Sequence, residues 1–205
     1  MSAGVKLLLI IIFLTYYQPS FAQKNYQVSS KRFGFVIGVD ASNMNFNKGV
    51  PTPSVPVEAT WKSGITMGFL VQVPLAQRLF LQPEYIYTKR RSADKSTGLQ
   101  YTADYFAMPI LASYYISSRF SIIVGPQPEL LIHAKSYKDG INSNITHDME
   151  ERSVAGAIGF DVEPKTNFIL SARYLQGFNH IGIGQRSDVK EFKYEVITLT
   201  AGIRF

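Results

Sequence analysis

The chain has 205 residues, no cysteine and a formal charge of +6, with 46% apolar and 18% charged residues. The lack of cysteine excludes a disulfide framework and a thiolate metal site. The basic residues are scattered apart from Lys89-Arg90-Arg91, and no nucleic-acid reading module accompanies them.

The N-terminus reads as an export leader. Lys6 supplies the positive start, Leu7 to Leu14 is an unbroken apolar run, and Ser20-Phe21-Ala22 carries small residues at a cleavage site. That run is shorter than the roughly 20 residues of a membrane-spanning helix. Residues 1–22 are therefore a signal peptide, and 23–205 form a single domain. No cysteine follows the cleavage site, so lipoprotein processing is excluded.

Beyond the leader, alternating segments recur at 32–42, 61–73, 79–91, 103–116, 120–135, 153–162, 168–178 and 192–205. Period-two alternation predicts strands. The connections between them are long, then short, in strict alternation: 43–60, 92–102, 136–152 and 179–191 are long, and 74–78, 117–119 and 163–167 are short. In an up-and-down ring all the long connections then share one rim. Outer-membrane barrels have this asymmetry, with short periplasmic turns and long external loops. The fold class is all-β, an eight-stranded antiparallel up-and-down transmembrane barrel.

The facing pattern supports that solvent arrangement. Phe33, Phe35, Ile37 and Val39 oppose Gly34, Gly38 and Asp40; Trp61, Ile65, Met67 and Phe69 oppose Lys62, Gly64, Thr66 and Gly68. The bulky apolar face suits lipid, and the small mixed face suits a narrow interior. In the last strand, Ile197, Leu199, Ala201, Ile203 and Phe205 face lipid. Charge follows the same division, because a lipid-facing charge costs about 2–4 kcal/mol at the membrane midplane. The interior charge set is Asp40, Glu84, Glu129 and Asp161 against Lys62, Arg173 and Arg204. Paired and hydrogen-bonded charges are the stable way to fill such a space. The barrel is expected to be plugged by this packing. A proton or ion path is the competing role for the same charges.

Pro83, Pro109, Pro126 and Pro128 fall inside predicted strands, which predicts bulges near Pro83 and over Gly125–Pro128. The aromatics Trp61, Tyr85, Tyr87, Tyr101, Tyr105, Tyr114 and Tyr115 read as an interfacial girdle. Among the histidines, His133 is expected inside, and His147 and His180 in external loops. They have no metal-ligand spacing. Asn179-His180-Ile181-Gly182 lacks the serine that a barrel lipase would need, so no catalytic residue, cofactor or metal site is assigned.

The signal ending SFAQ, DYFAMPILASYY, VGPQPELLI, ARYLQGFNHIG and the terminal LTAGIRF resemble the Bacteroidetes outer-membrane beta-barrel family, the "porin family" or PorT-like proteins. The resemblance spans essentially the whole mature chain. It implies a cell outer membrane location and insertion by the barrel-assembly machinery through the last strand, with Phe205 as the assembly signal. The expected role is structural or surface-interacting and non-enzymatic. The alternatives are an accessory barrel of a protein secretion system and a lipid-modifying enzyme. Expected partners are outer-membrane lipids, the assembly machinery, and an extracellular or secretion-system protein, with no nucleic acid.

Overall fold

Every alternating segment becomes a strand in the computed structural model, which describes residues 32–48, 58–95, 97–165, 167–181 and 191–205. The leader expected over 1–22 lies outside the described residues. The strands are β1 (Arg32–Asn45), β2 (Ala59–Pro74), β3 (Leu79–Asp94), β4 (Gln100–Ala107), β5 (Ile110–Tyr115), β6 (Phe120–Lys138), β7 (Ile141–Asn144), β8 (Arg152–Lys165), β9 (Phe168–Gly177) and β10 (Lys193–Arg204). All pairings are antiparallel, in a ring β1-β2-β3-β4/β5-β6-β8-β9-β10. β4 and β5 together make one stave, and β7 pairs only with β6. Among the described residues, ten strands thus give eight staves.

β10 closes the ring on β1, from Gly34 opposite Arg204 to Asn45 opposite Lys193. The seam continues one residue further. The Phe33 amide donates to the Phe205 carbonyl at 3.2 Å, and the Phe205 amide donates to the Phe33 carbonyl at 2.7 Å. Closure leaves no open edge, the condition for crossing lipid with strands.

Burial is the reverse of a soluble protein's. Phe35, Ile37 and Leu199 are 66%, 64% and 52% exposed, while Gln82, Glu84 and Arg204 are 0%, 1% and 2% exposed. On β3 the outward run from Leu79 to Tyr87 rises roughly 20 Å along the membrane normal, close to the apolar band of such barrels. Small inward residues let the staves approach. A Cβ at Gly38 would lie 2.0 Å from the Leu199 carbonyl oxygen.

The prolines are handled differently from the sequence expectation. Register runs without a shift past Pro83 (opposite Ile110) and through Gly125–Pro128 (opposite Ala157 to Val154). The donors missing at these prolines coincide with one gap instead, at Met108-Pro109 between β4 and β5. Glu84 N–H reaches the Pro109 carbonyl at 2.9 Å, and Met108 N–H reaches the Pro128 carbonyl at 2.8 Å. Extra residues appear elsewhere, between Trp61 and Ile65 of β2, at Ile132 of β6 and near the end of β8.

Strand six is longer than the sequence predicted. It runs to Lys138 and returns through Asp139-Gly140 into β7. Both turn residues have positive φ, 50° and 85°. That geometry favours Asp-Gly and suits the twist of a hairpin. The expected girdle also splits. Trp61, Tyr85 and Tyr114 are exposed outside, but Tyr101, Tyr105 and Tyr115 are buried inside. The odd-numbered residues of β4 and β5 all point inward, a phase hidden where both faces are apolar.

Candidate functional site

The interior is filled by three polar layers and an apolar cap. The layer nearest the short turns centres on Arg204 of β10. Its guanidinium meets Glu163 Oε1 at 2.6 Å and Asp161 Oδ2 at 3.0 Å, both from β8. It also donates to Tyr115 Oη at 3.0 Å and Gln82 Oε1 at 3.1 Å. Arg32 of β1 holds the other oxygen of Glu163 at 3.1 Å. Gln82 Nε2 then donates to Glu84 Oε1 at 2.8 Å, joining this layer to the next.

In the middle layer Arg173 forks onto Glu84 at 2.5 and 2.8 Å, with its Nε on Ser171 Oγ at 2.9 Å. Asp40 accepts from Thr198 Oγ1 at 2.6 Å and from the Thr88 hydroxyl. The third layer joins Arg90 to Glu129 at 2.5 and 2.8 Å. Gln127 and Ser153 complete the Glu129 carboxylate at 2.7 and 3.1 Å. The Arg90 guanidinium lies 5.1 Å from the Tyr105 ring centroid and 5.2 Å from that of Tyr194, within cation–π range.

Above Arg90, Met44, Phe46, Ile145, Met149, Ile181 and Phe192 form a buried apolar cluster at the long-loop rim. Phe46 and Phe192 meet edge to face at 5.3 Å. Between the middle and upper layers a cavity of about 20 Å³ is lined by Asp40, Thr66, Thr88, Arg90, Gln127 and Arg173, room for about one water.

Six of the seven predicted interior charges, Asp40, Glu84, Glu129, Asp161, Arg173 and Arg204, sit inside. Lys62 does not. It is exposed, because the extra residue between Trp61 and Ile65 breaks the period of two at the outer end of β2. Phe205 lies on the closing seam and is 70% exposed. Arg90 joins the interior charges although it is not in the expected set; it shares a face with Glu84. Glu163 falls in the expected connection 163–167, into which β8 extends as far as Lys165. Of the cap, Phe192 shares the inward phase of the predicted strand 192–205, and the other members are apolar residues set in polar connections.

His133 also differs from expectation. The extra residue Ile132 turns it outward, opposite Asp104, with its Nδ1 3.2 Å from Thr146 Oγ1. His180 Nε2 contacts the Lys48 carbonyl at 3.0 Å, and Asn179 binds the backbone of Val154 and Arg152. Ser171 is committed to Arg173. Among the described residues no group of His, Asp or Glu could hold a metal.

An apolar outer wall, a polar packed interior and a seam joining first strand to last define a transmembrane β-barrel. The family described as an outer membrane protein beta-barrel domain matches residues 21–182. The chain belongs to that family, and its location is the outer membrane. Among solved structures it is similar to Ail, the attachment invasion locus protein of Yersinia pestis, in complex with the heparin analogue sucrose octasulfate. That match has 16% identity and a TM-score of 0.51, covering 86% of this chain and 99% of that one. It is similar also to Neisserial surface protein A, at 12% identity and a TM-score of 0.53, covering 84% and 97%. These likenesses show the fold. No curated protein matches the sequence.

Proposed function

We propose that this protein is a non-enzymatic, non-conducting outer-membrane barrel whose work is done by its external rim. The observation that carries this is the interior: three ion-paired or hydrogen-bonded layers under an apolar cap, with room for about one water between two of them. A filled interior favours packing over an ion path as the role of the charges. The rigid barrel then serves as a platform for the long connections and for the β6–β7 hairpin, whose Ile141 is 68% exposed. Export by the leader over 1–22 and a mature domain over 23–205 belong to the same reading. The likeness to PorT-like proteins carries the alternative reading, an accessory barrel of a protein secretion system, which neighbouring secretion genes would favour.

Planar-bilayer recording tests the conduction claim. The expected result is no stable unitary conductance from the purified barrel. Sustained porin-like steps would overturn it. Unaltered lipid A mass spectra in a deletion strain are the matching expectation against a lipid-modifying enzyme.

Phe205 is proposed as the last element of the assembly signal. Deleting it removes both hydrogen bonds to Phe33. The expected outcome is a marked drop in barrel recovered from outer membranes, and wild-type recovery would exclude the role.

A further inference from the structure

The outer wall changes chemistry along one sector, formed by β2, β3, β4 and β6. Its aromatic residues run diagonally from Phe69 through Tyr85 to Phe106, which stands opposite Tyr87, with ring centroids 5.2 and 6.1 Å apart in sequence. One row toward the long loops, Lys89 stands opposite Asp104, which stands opposite His133. Arg91 stands opposite Thr102, which stands opposite Lys135, in the row beyond. Successive rows are about 7 Å apart along the strands. Lys62 is exposed at the β2 bulge, beside the Arg91 level.

The bulges create this patch. Counting by twos from Val124 and Leu130 would send His133 and Lys135 inward. The extra Ile132 turns both outward. The extra residue in β2 does the same for Lys62. Bulges commonly re-aim side chains in this way.

The charge there is unbalanced. Asp104 is the carboxylate in these rows, and it is already engaged by Lys89 at 3.6 Å and by the Tyr87 hydroxyl at 3.0 Å. Among the described residues, Lys62, Arg91 and Lys135 have no carboxylate within ion-pair distance. On the β10–β1 side, by contrast, the rim acid Glu195 pairs with Lys48 at 2.5 Å. The basic rows lie directly above the aromatic band, where acyl chains give way to head groups. Cations at that height meet lipid phosphate, and a guanidinium can bind two phosphate oxygens at once.

The geometry points to a binding site for the phosphorylated glycolipid of the outer leaflet, lipid A, on this sector. Arg91 and Lys135 grip its phosphate from either side of Thr102. Lys62 and His133 flank them, and the acyl chains lie down the apolar rows of Met67, Tyr85 and Leu130.

The test folds the protein into phosphatidylcholine vesicles doped with bis-phosphorylated lipid A, with dephosphorylated lipid A or with phosphatidylglycerol. Native mass spectrometry then counts the lipid retained after detergent extraction. Wild type is expected to retain bis-phosphorylated lipid A above both comparators. Each basic residue beside an anionic lipid contributes roughly fivefold, so R91Q/K135Q is expected to bind about thirtyfold more weakly. Lys165→Gln, on the opposite rim, should retain lipid A as wild type does. Both patch side chains point away from the interior, so the double variant folds, which heat-modifiable gel migration verifies. Equal retention by wild type and double variant overturns the site. Equal retention of phosphatidylglycerol overturns the glycolipid assignment.

Discussion

Arg204→Ala is expected to destabilise the folded barrel by about 3–5 kcal/mol or more, the cost of stranding a buried charge. Here two carboxylates lose a partner. Asp161 is 1% exposed and has no other ion pair among the described residues, whereas Glu163 keeps Arg32. Tyr115 and Gln82 lose a donor as well. Arg204→Lys keeps the charge but not the fork, so it should fall between wild type and Ala. A urea titration of folding into vesicles measures both. An Ala variant within about 1 kcal/mol of wild type would mean that the layer fills space without holding the barrel.

The second large effect belongs to Arg173 and Glu84. Arg173→Ala alone should cost about 3–5 kcal/mol, because Glu84 is left buried with Gln82 as its remaining donor. Replacing both partners, Arg173→Met with Glu84→Gln, should cost much less than the sum of the singles. Removing a matched buried pair is often close to neutral. The same titration, run as a double-mutant cycle, reads the coupling directly. Additive costs would show that the two side chains contribute independently.

How legible these layers were in the sequence depends on where each residue sits. The mid-strand positions Asp40, Glu84, Glu129, Asp161 and Arg173 follow from alternation alone, because the period of two holds wherever both neighbours pair without a slip. Lys62 lies within the β2 irregularity and His133 just past an inserted residue, where the period of two no longer holds. Nothing in Trp61-Lys62-Ser63-Gly64 announces that insertion. Glu163 was lost to a strand end, the least certain part of any such reading. The apolar cap was hidden for another reason. Most of its members come from connections with no period, and only the closed ring brings Phe46, Met149 and Phe192 together.

The lowest layer also bears on how the barrel comes into being. Glu163 belongs to β8, yet it is held by Arg32 from the first strand and Arg204 from the last, partners 131 and 41 residues away. The Arg32 grip cannot form while the seam is open, since β1 is then apart from the continuous run β8-β9-β10 within which Arg204 reaches Glu163. The carboxylate thus acts as a latch thrown only by closure. Half-closed sheets hold Glu163 with Arg204 alone, and a finished barrel must break the Arg32 grip before its seam can part. Closure thereby gains cooperativity, and the Arg32–Glu163 pair adds to the barrier that opening must cross.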